Sequence, residues 1–98
     1  MLKKSYTKTR RSCRVTFKLT PEVEADSAAL LGEFNSWDEA SHPMKKLKDG
    51  SFSATLSLRT GHDYRFRYLL DGEQWVNDPA PDSEVGNRFG TTDSVVTV

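Results

Sequence analysis

The 98-residue sequence lacks most of the features on which enzymes, metalloproteins and membrane proteins depend. Its single cysteine, Cys13, has no partner for an internal disulfide. Cys13 lies among alternating apolar residues, which predicts a small buried side chain rather than a nucleophile. No apolar run approaches the roughly 18 residues of a membrane helix, and the first residues have no apolar segment typical of a signal peptide. We therefore expect a cytoplasmic protein without a membrane partner.

Catalytic motifs and metal-ligand spacings are missing as well. His42 and His62 both stand beside turn residues, without a cysteine or acid at ligand spacing, so they are expected on the surface with no bound metal. No nucleophile elbow, zinc-protease helix, phosphate-binding loop or dinucleotide fingerprint occurs. Acidic residues such as Asp38, Asp71 and Asp78 fall in predicted turns, and none is fixed opposite another as glycoside hydrolysis requires. We expect no enzymatic activity and no cofactor.

Acidic residues are absent from the N-terminal part of the chain, although the net charge is zero. Through Lys18 the chain carries seven basic residues and no acid, and all fourteen acids follow. Residues 1–11 also show no hydrophobic period, which predicts a basic, flexible arm preceding a single domain over residues 12–98. No basic face interleaved with aromatic residues follows this arm, so nucleic acid is not expected as a partner.

The remaining sequence alternates between apolar and polar residues at the period of β-strands. Strong turn signals at Asp49-Gly50 and Asp71-Gly72 separate the segments, and no segment has a convincing helical period. We expect an acidic turn over Glu22–Asp26 and a long ordered loop over Asn77–Thr92. The pattern predicts an all-β antiparallel sandwich of about seven short strands. These strands are Cys13–Leu19, Ala28–Gly32, Met44–Lys48, Ser51–Leu58, Asp63–Leu70, Gln74–Val76 and Ser94–Val98.

Two tryptophans stand where a predicted strand meets a polar loop. Trp37 follows the second strand, Trp75 lies just beyond the Asp71-Gly72 turn, and Arg67 is on the outward face of the strand between them. A pyranose ring has an apolar C–H face and a rim of hydroxyls, which suits an indole beneath it and a guanidinium at its edge. With the polar residues Asn87, Thr91, Thr92 and Asp93, they form a candidate sugar site. From these residues alone, tryptophans of the core and a solvated arginine are the more common interpretation.

Several short motifs in order along the chain resemble one known family. The first, LLGEFNSWD at residues 30–38, is similar to the family pattern apolar-x-G-x-F-N-x-W. The chain is identified on these motifs as resembling the isoamylase N-terminal (early-set) domain, also called carbohydrate-binding module family 48. It is similar to the glycogen-binding domain of AMP-activated protein kinase β subunits and most like short bacterial proteins with this domain alone. The other motifs are Pro43-Met44, Asp49–Phe52, Tyr64–Gly72, Trp75–Pro79 and Asn87–Val96.

The resemblance implies an immunoglobulin-like sandwich that recognises α-1,4-glucan, as in glycogen, starch or maltooligosaccharides. By position, Trp37 and Trp75 match the two stacking tryptophans and Arg67 matches the basic residue that hydrogen-bonds the sugar. The sequence departs from the family at two positions. Asp93 replaces a common Asn, and Gln74 is an extra residue that is expected to change the direction of the Trp75 side chain. The implied carbohydrate-binding residues are Trp37, Arg67, Trp75, Phe89, Thr91 and Asp93.

A second function is compatible with the same fold. Members attached to enzymes also serve as packing modules, and the sequence contains no catalytic barrel of roughly 250 residues. The alternative is therefore a protein-interaction or regulatory module without sugar affinity, acting with a separate glucan-metabolising enzyme or complex.

Overall fold

The computed structural model describes residues 2–20 and 25–98. Its strands form two antiparallel sheets, as expected for the immunoglobulin-like sandwich. Sheet A has the order β1-β2-β5-β4, and sheet B has the order β3-β6-β9-β8, with β7 also paired to β6. The strands are β1 Leu2–Tyr6, β2 Ser12–Leu19, β3 Ala28–Gly32, β4 Lys45–Lys46, β5 Phe52–Arg59, β6 Asp63–Leu70, β7 Gln74–Val76, β8 Ser83–Gly86 and β9 Thr92–Thr97.

The core lies between the two sheets and is built from the inward residues of β2, β5 and β6. Val15 and Phe17 on β2, and Phe66 and Tyr68 on β6, are fully buried because alternate side chains of each strand point to the same face. Burial of each such side chain contributes about 1.5–3 kcal/mol to folding. Cys13 is buried in the same cluster, which confirms the expected small apolar role.

The first strand corrects the expectation of a loose arm over residues 1–11. Leu2–Tyr6 pairs with β2 along its whole length, with Leu2 opposite Phe17. Lys4 Nζ also lies 2.6 Å from a carboxylate oxygen of Asp82, which ties β1 to the chain before β8. No hydrophobic period marks this edge strand in the sequence, because every residue of it except Leu2 is exposed and its pairing depends on backbone hydrogen bonds.

A further strand, β8, lies within the segment predicted as a loop over Asn77–Thr92. Its pairing with β9 runs from Ser83 opposite Val95 to Gly86 opposite Thr92. Only Val85 of this strand is half-buried, so no alternation marks it in the sequence. The structure therefore has nine strands among the described residues where about seven were expected. The predicted acidic turn over Glu22–Asp26 falls mainly on residues 21–24, outside the described part of the chain.

The predicted turn at Asp71-Gly72 is confirmed and also anchors the start of β3. Asp71 and Gly72 have φ values of 51° and 70°, as type I′ hairpin geometry requires. The Asp71 carboxylate accepts hydrogen bonds from the N–H groups of Asp26 and Ser27, each at 2.9 Å. One side chain thus fixes the β6–β7 turn against the chain that enters β3. The predicted turn at Asp49-Gly50 is confirmed too, with a φ of 85° at Gly50.

Candidate functional site

An open groove of about 900 Å³ lies on the outer face of sheet B, the face turned away from the core. It contains all six carbohydrate-binding residues predicted from the sequence, drawn from β6, β7, β9 and two loops. Its lining residues are Glu33, Trp37, Arg65, Arg67, Trp75, Asn87, Arg88, Phe89, Thr91 and Asp93. Three apolar residues of this face, Leu31, Leu69 and Val95, are buried but do not belong to the main core. In the strand register they stand opposite Arg67, Trp75 and Arg65, respectively.

Trp37 is presented by a tight turn at the end of β3. A 3₁₀ turn over Glu33–Asn35 follows Gly32, and the Trp37 N–H donates to the Gly32 carbonyl oxygen at 2.9 Å. Asn35 holds this turn, because its Oδ1 accepts from the Gly32 N–H and its Nδ2 donates to the Leu30 carbonyl oxygen. Ser36 and Trp37 both adopt left-handed backbone angles, with φ values of 55° and 58°. The turn directs the indole outward, where it remains 36% exposed.

Arg67 lies at a gap in the hydrogen-bonded ladder of sheet B. On one edge of β6, β9 pairs up to Phe66 and β7 pairs from Tyr68, so Arg67 falls between the two partners. Its guanidinium lies 5.6 Å from the centre of the Trp75 ring, a cation–π distance. Its Nε is buried and has no hydrogen-bond partner among the described residues. Arg67 is therefore half-buried and packed against an indole. It is not the freely solvated side chain of the alternative interpretation.

Trp75 lines the groove despite the extra residue Gln74. Gln74 is paired opposite Leu70 and Trp75 opposite Leu69, so the additional length is taken up between Leu70 and Gln74. Trp75 is 44% exposed and thereby offers an open indole face beside Arg67. The structure brings Trp37, Trp75 and Arg67 into one groove, as the sugar-site hypothesis requires.

The loop after β8 presents Phe89, the most exposed large apolar side chain described, at 75%. Asn87 holds this loop through both ends of its amide. Its Oδ1 accepts from the N–H groups of Phe89 and Thr91, at 3.0 and 3.3 Å. Its Nδ2 donates to the Thr91 hydroxyl at 2.8 Å and to the Asp93 carboxylate at 3.1 Å. Phe89 and Thr91 are thus placed by one asparagine.

Asp93 differs from the other predicted site residues because it is nearly buried. It is 7% exposed, and its carboxylate lies 3.7 Å from the Arg65 guanidinium and also accepts from Asn87. These contacts use acceptor sites that a carboxylate would otherwise offer to a sugar hydroxyl. Its clearest role in the structure is to hold Arg65 and the Asn87 loop at the groove wall.

Four residues that line the groove were not among the six predicted carbohydrate-binding residues: Glu33, Arg65, Arg88, and Asn87, which was named only as part of the polar loop. Arg88 lies 5.1 Å from the Phe89 ring, and Glu33 accepts a hydrogen bond from the Arg65 N–H at 2.7 Å. A signal for Arg65 was present, because it shares the outward face of β6 with Arg67. Glu33 and Arg88 each lie within a turn, and only the folded chain shows that these turns face the groove.

A buried polar network joins β6 and β9 to the segment that follows β7. The Tyr68 hydroxyl donates to the Asp78 carboxylate at 2.6 Å, and the Asp78 N–H donates to the Ser94 hydroxyl at 3.0 Å. Burial, together with the adjacent Asp78 carboxylate, raises the pKa of Tyr68 well above its usual range. Asp78 also accepts from the Ala80 N–H, so it has the expected turn role and a buried role that the sequence did not reveal.

Metal and membrane features are not found in the described ranges. Residues 2–20 and 25–98 contain no group of three or more His, Cys, Asp or Glu side chains placed to hold a metal ion. No helix in these ranges is long and apolar enough to cross a bilayer. His62 is exposed as expected, whereas His42 is half-buried, with Nδ1 2.8 Å from the Asn35 amide nitrogen. The groove itself is lined by aromatic rings, guanidinium groups, two carboxylates, an amide and a hydroxyl.

Comparison with known proteins gives a consistent result. A family model described as carbohydrate-binding module 48 (isoamylase N-terminal domain) matches residues 11–85. A 1,4-alpha-glucan branching enzyme of Aquifex aeolicus is 35% identical over 71 residues, which covers 69% of this chain and 11% of the relative. The 1,4-alpha-glucan-branching enzyme of Candida glabrata is 36% identical over 85 residues, covering 69% and 12%. An amylopullulanase of Thermoanaerobacterium thermosulfurigenes is 30% identical over 88 residues, covering 87% and 4%. The matched region is thus a small part of each of these relatives.

Proposed function

Because the chain belongs to the carbohydrate-binding module 48 (isoamylase N-terminal domain) family, we propose that its groove binds α-1,4-glucan chains without changing them chemically. The ligands are glycogen, starch or maltooligosaccharides. The observation that carries this proposal is that Trp37, Trp75 and Phe89 expose their rings in the same groove as Arg67.

The groove offers the two kinds of contact that a glucose ring needs. The C–H face of a pyranose packs on an indole, and the area removed from water supplies the main driving force. The hydroxyl rim needs directional donors, and the buried Nε of Arg67 has no acceptor to give up among residues 2–20 and 25–98. A small shift of the Arg67 side chain on binding would bring that donor within reach of a sugar hydroxyl while a ring stacks on Trp75.

A binding role, rather than hydrolysis, fits the acids of the groove. Glu33 and Asp93 are both engaged by Arg65, the former through its backbone N–H and the latter through its guanidinium. A glycoside hydrolase needs one carboxyl group that protonates the leaving oxygen and a second that acts as a base or nucleophile. We therefore assign catalysis to the multidomain relatives and only recognition to the groove described above.

Native affinity electrophoresis tests the proposal directly. Gels with and without glycogen would compare the wild type with Trp37→Ala and Trp75→Ala. Tyr6→Ala is a matched control, since Tyr6 is 43% exposed on β1 and does not line the groove. We expect glycogen to retard the wild type and Tyr6→Ala, with most of the retardation lost in both tryptophan variants. Circular dichroism should show all four proteins folded.

Two results would count against the groove. If the wild type migrates equally with and without glycogen, the chain has no useful glucan affinity. If Tyr6→Ala loses as much retardation as Trp75→Ala, the effect is general and does not belong to the groove. Affinity for a short maltooligosaccharide is expected to be weak, because the site is shallow. Glycogen should retain the protein better, because its many equivalent chain ends let the single groove rebind after each dissociation.

A further inference from the structure

The outer face of sheet A, on the opposite side of the sandwich from the groove, has an unusual composition. We call the outward residues of β1, β2, β5 and β4 the sheet A face. The strand register and the burial of their neighbours place these residues on one surface, as the 3.0 Å contact between the hydroxyls of Thr16 and Thr55 illustrates. Its members are Lys3, Ser5, Ser12, Arg14, Thr16, Lys18, Lys45, Ser53, Thr55, Ser57 and Arg59.

Every charge on the sheet A face is positive. No acidic or apolar residue occurs among these described positions, although the chain as a whole has equal numbers of acids and bases. Each cation stands opposite a hydroxyl residue in the register: Lys3 faces Thr16, Arg14 faces Ser57, and Arg59 faces Ser12. Opposite charges commonly pair across strands, so this all-positive arrangement leaves the cations without that stabilisation.

Four of the cations are available to a partner. Lys3, Arg14, Lys45 and Arg59 are exposed, and none has an ion pair within the described part of the chain. Lys18 is not counted among these four cations, because it interacts with Asp49 in the adjoining turn. The short serines and threonines between the cations leave room for carboxylates to approach the ammonium and guanidinium groups from the side.

The shape of the sheet A face favours an acidic protein over other polyanions. It has no aromatic ring on which a single-stranded base could stack, and no protruding helix that could enter a DNA groove. It also carries no apolar side chain to insert into a bilayer. An array of exposed lysines and arginines is complementary in charge to an array of carboxylates, with bidentate pairing at the arginines.

We propose that the sheet A face is a docking surface for a protein region rich in Asp and Glu. The proposal does not depend on glucan binding, because the groove is on the other sheet. Docking through sheet A would leave the groove open. A partner could thus be held by one face while a ligand occupies the other.

A labelled poly-L-glutamate peptide provides the probe, with binding measured by fluorescence anisotropy in about 50 mM salt, where surface charges are weakly screened. The face variant is Arg14→Thr/Lys45→Thr/Arg59→Thr, since threonine suits exposed strand positions. The control variant, Lys8→Thr/Arg11→Thr/Lys48→Thr, removes the same net charge from exposed turns. We expect the face variant to bind about tenfold more weakly and the control to stay within about twofold of the wild type.

A charge-retaining variant, Arg14→Lys/Lys45→Arg/Arg59→Lys, should bind poly-L-glutamate like the wild type and thereby separate loss of charge from loss of fold. Equal weakening in the face and control variants would overturn the proposal, because net charge alone would explain it. Duplex DNA, or vesicles of phosphatidylserine and phosphatidylcholine, would overturn it by binding the sheet A face more tightly than poly-L-glutamate at equal charge concentration. No measurable binding of poly-L-glutamate would overturn it as well.

Discussion

Two asparagines have equivalent roles at the groove. Asn35 lies two residues before Trp37, and Asn87 lies two residues before Phe89. Each uses its amide oxygen as an acceptor and its amide nitrogen as a donor to close the turn that carries the aromatic ring. An amide side chain supplies a donor and an acceptor on two separate atoms without carrying a charge. The spacing is visible in the sequence, but the bonds are not, because they depend on the path of the turn.

Tyr68 makes a pH-dependent contribution to stability. Its pKa is raised in the folded state, by burial and by Asp78, above the unfolded value of about 10. Its contribution is therefore complete below about pH 10 and is lost as the pH rises from there towards the folded pKa, by up to about 1.4 kcal/mol per pH unit. We expect Tyr68→Phe to be less stable at pH 7 by about 1–3 kcal/mol, because Asp78 loses a buried donor. Its stability should also fall less steeply above pH 10.

Urea unfolding of the wild type and Tyr68→Phe between pH 7 and about pH 11 measures both effects. Tyr6→Phe is the control, since Tyr6 is exposed on β1 and should keep the wild-type slope. A Tyr68→Phe slope equal to that of the wild type would show that the phenol is not the group that titrates.

At the level of strands, the sequence predicted those that bury one face against the core. It did not predict the strands that are held by backbone pairing alone. β2, β5 and β6 alternate because one face of each packs on the core, and all three were expected. β1 and β8 are edge strands with almost no buried side chain, so their composition is that of loops. Hydrogen bonds to a neighbouring strand leave no period in the sequence.

Gly32 is required where β3 meets the turn that carries Trp37. A Cβ at this position would lie 2.6 Å from the Arg65 carbonyl oxygen and 2.7 Å from the Phe34 ring. The backbone of β6 cannot move away without breaking the ladder, so we expect Gly32→Ala to cost about 1–3 kcal/mol of stability. Thermal unfolding measures this loss. Gly86→Ala is the control, because a Cβ there meets nothing within 4 Å; equal destabilisation of both variants would contradict the clash.

For the whole molecule, the two outer faces differ in the kind of interaction by which each would bind a ligand. The groove on sheet B combines exposed rings with buried apolar neighbours, whereas the sheet A face holds only cations and hydroxyls. Stacking on a neutral sugar is insensitive to screening, while contacts between exposed charges weaken with salt. We expect glycogen retention to stay constant between about 50 and 300 mM salt, and poly-L-glutamate binding to fall about tenfold or more.

The same separation should hold for variants. Trp75→Ala should keep poly-L-glutamate binding, and Arg14→Thr/Lys45→Thr/Arg59→Thr should keep glycogen retention. Loss of both activities in either variant, with the fold intact by circular dichroism, would show that the faces do not act independently.

The candidate site residues were predicted mainly from motifs. The folded chain adds the strand pairing that brings these residues onto one surface. Trp37, Trp75 and Arg67 follow from positions at strand ends and on an outward face, and Phe89, Thr91 and Asp93 from the family resemblance. Whether they share one surface depends on the pairing of β6 with both β7 and β9, which no local pattern specifies. Their roles in sugar binding stay predictions until the electrophoresis is done.

The left-handed backbone at Ser36 and Trp37 has an evolutionary consequence. Such angles cost about 1–2 kcal/mol for a residue with a Cβ, and a glycine would remove that cost. A lineage that needs only the fold would therefore drift towards glycine or asparagine at these two positions, while one that depends on the indole would keep the less favourable residue. Among descendants of a common ancestor, the residue at position 37 would then record whether selection still acts on the groove.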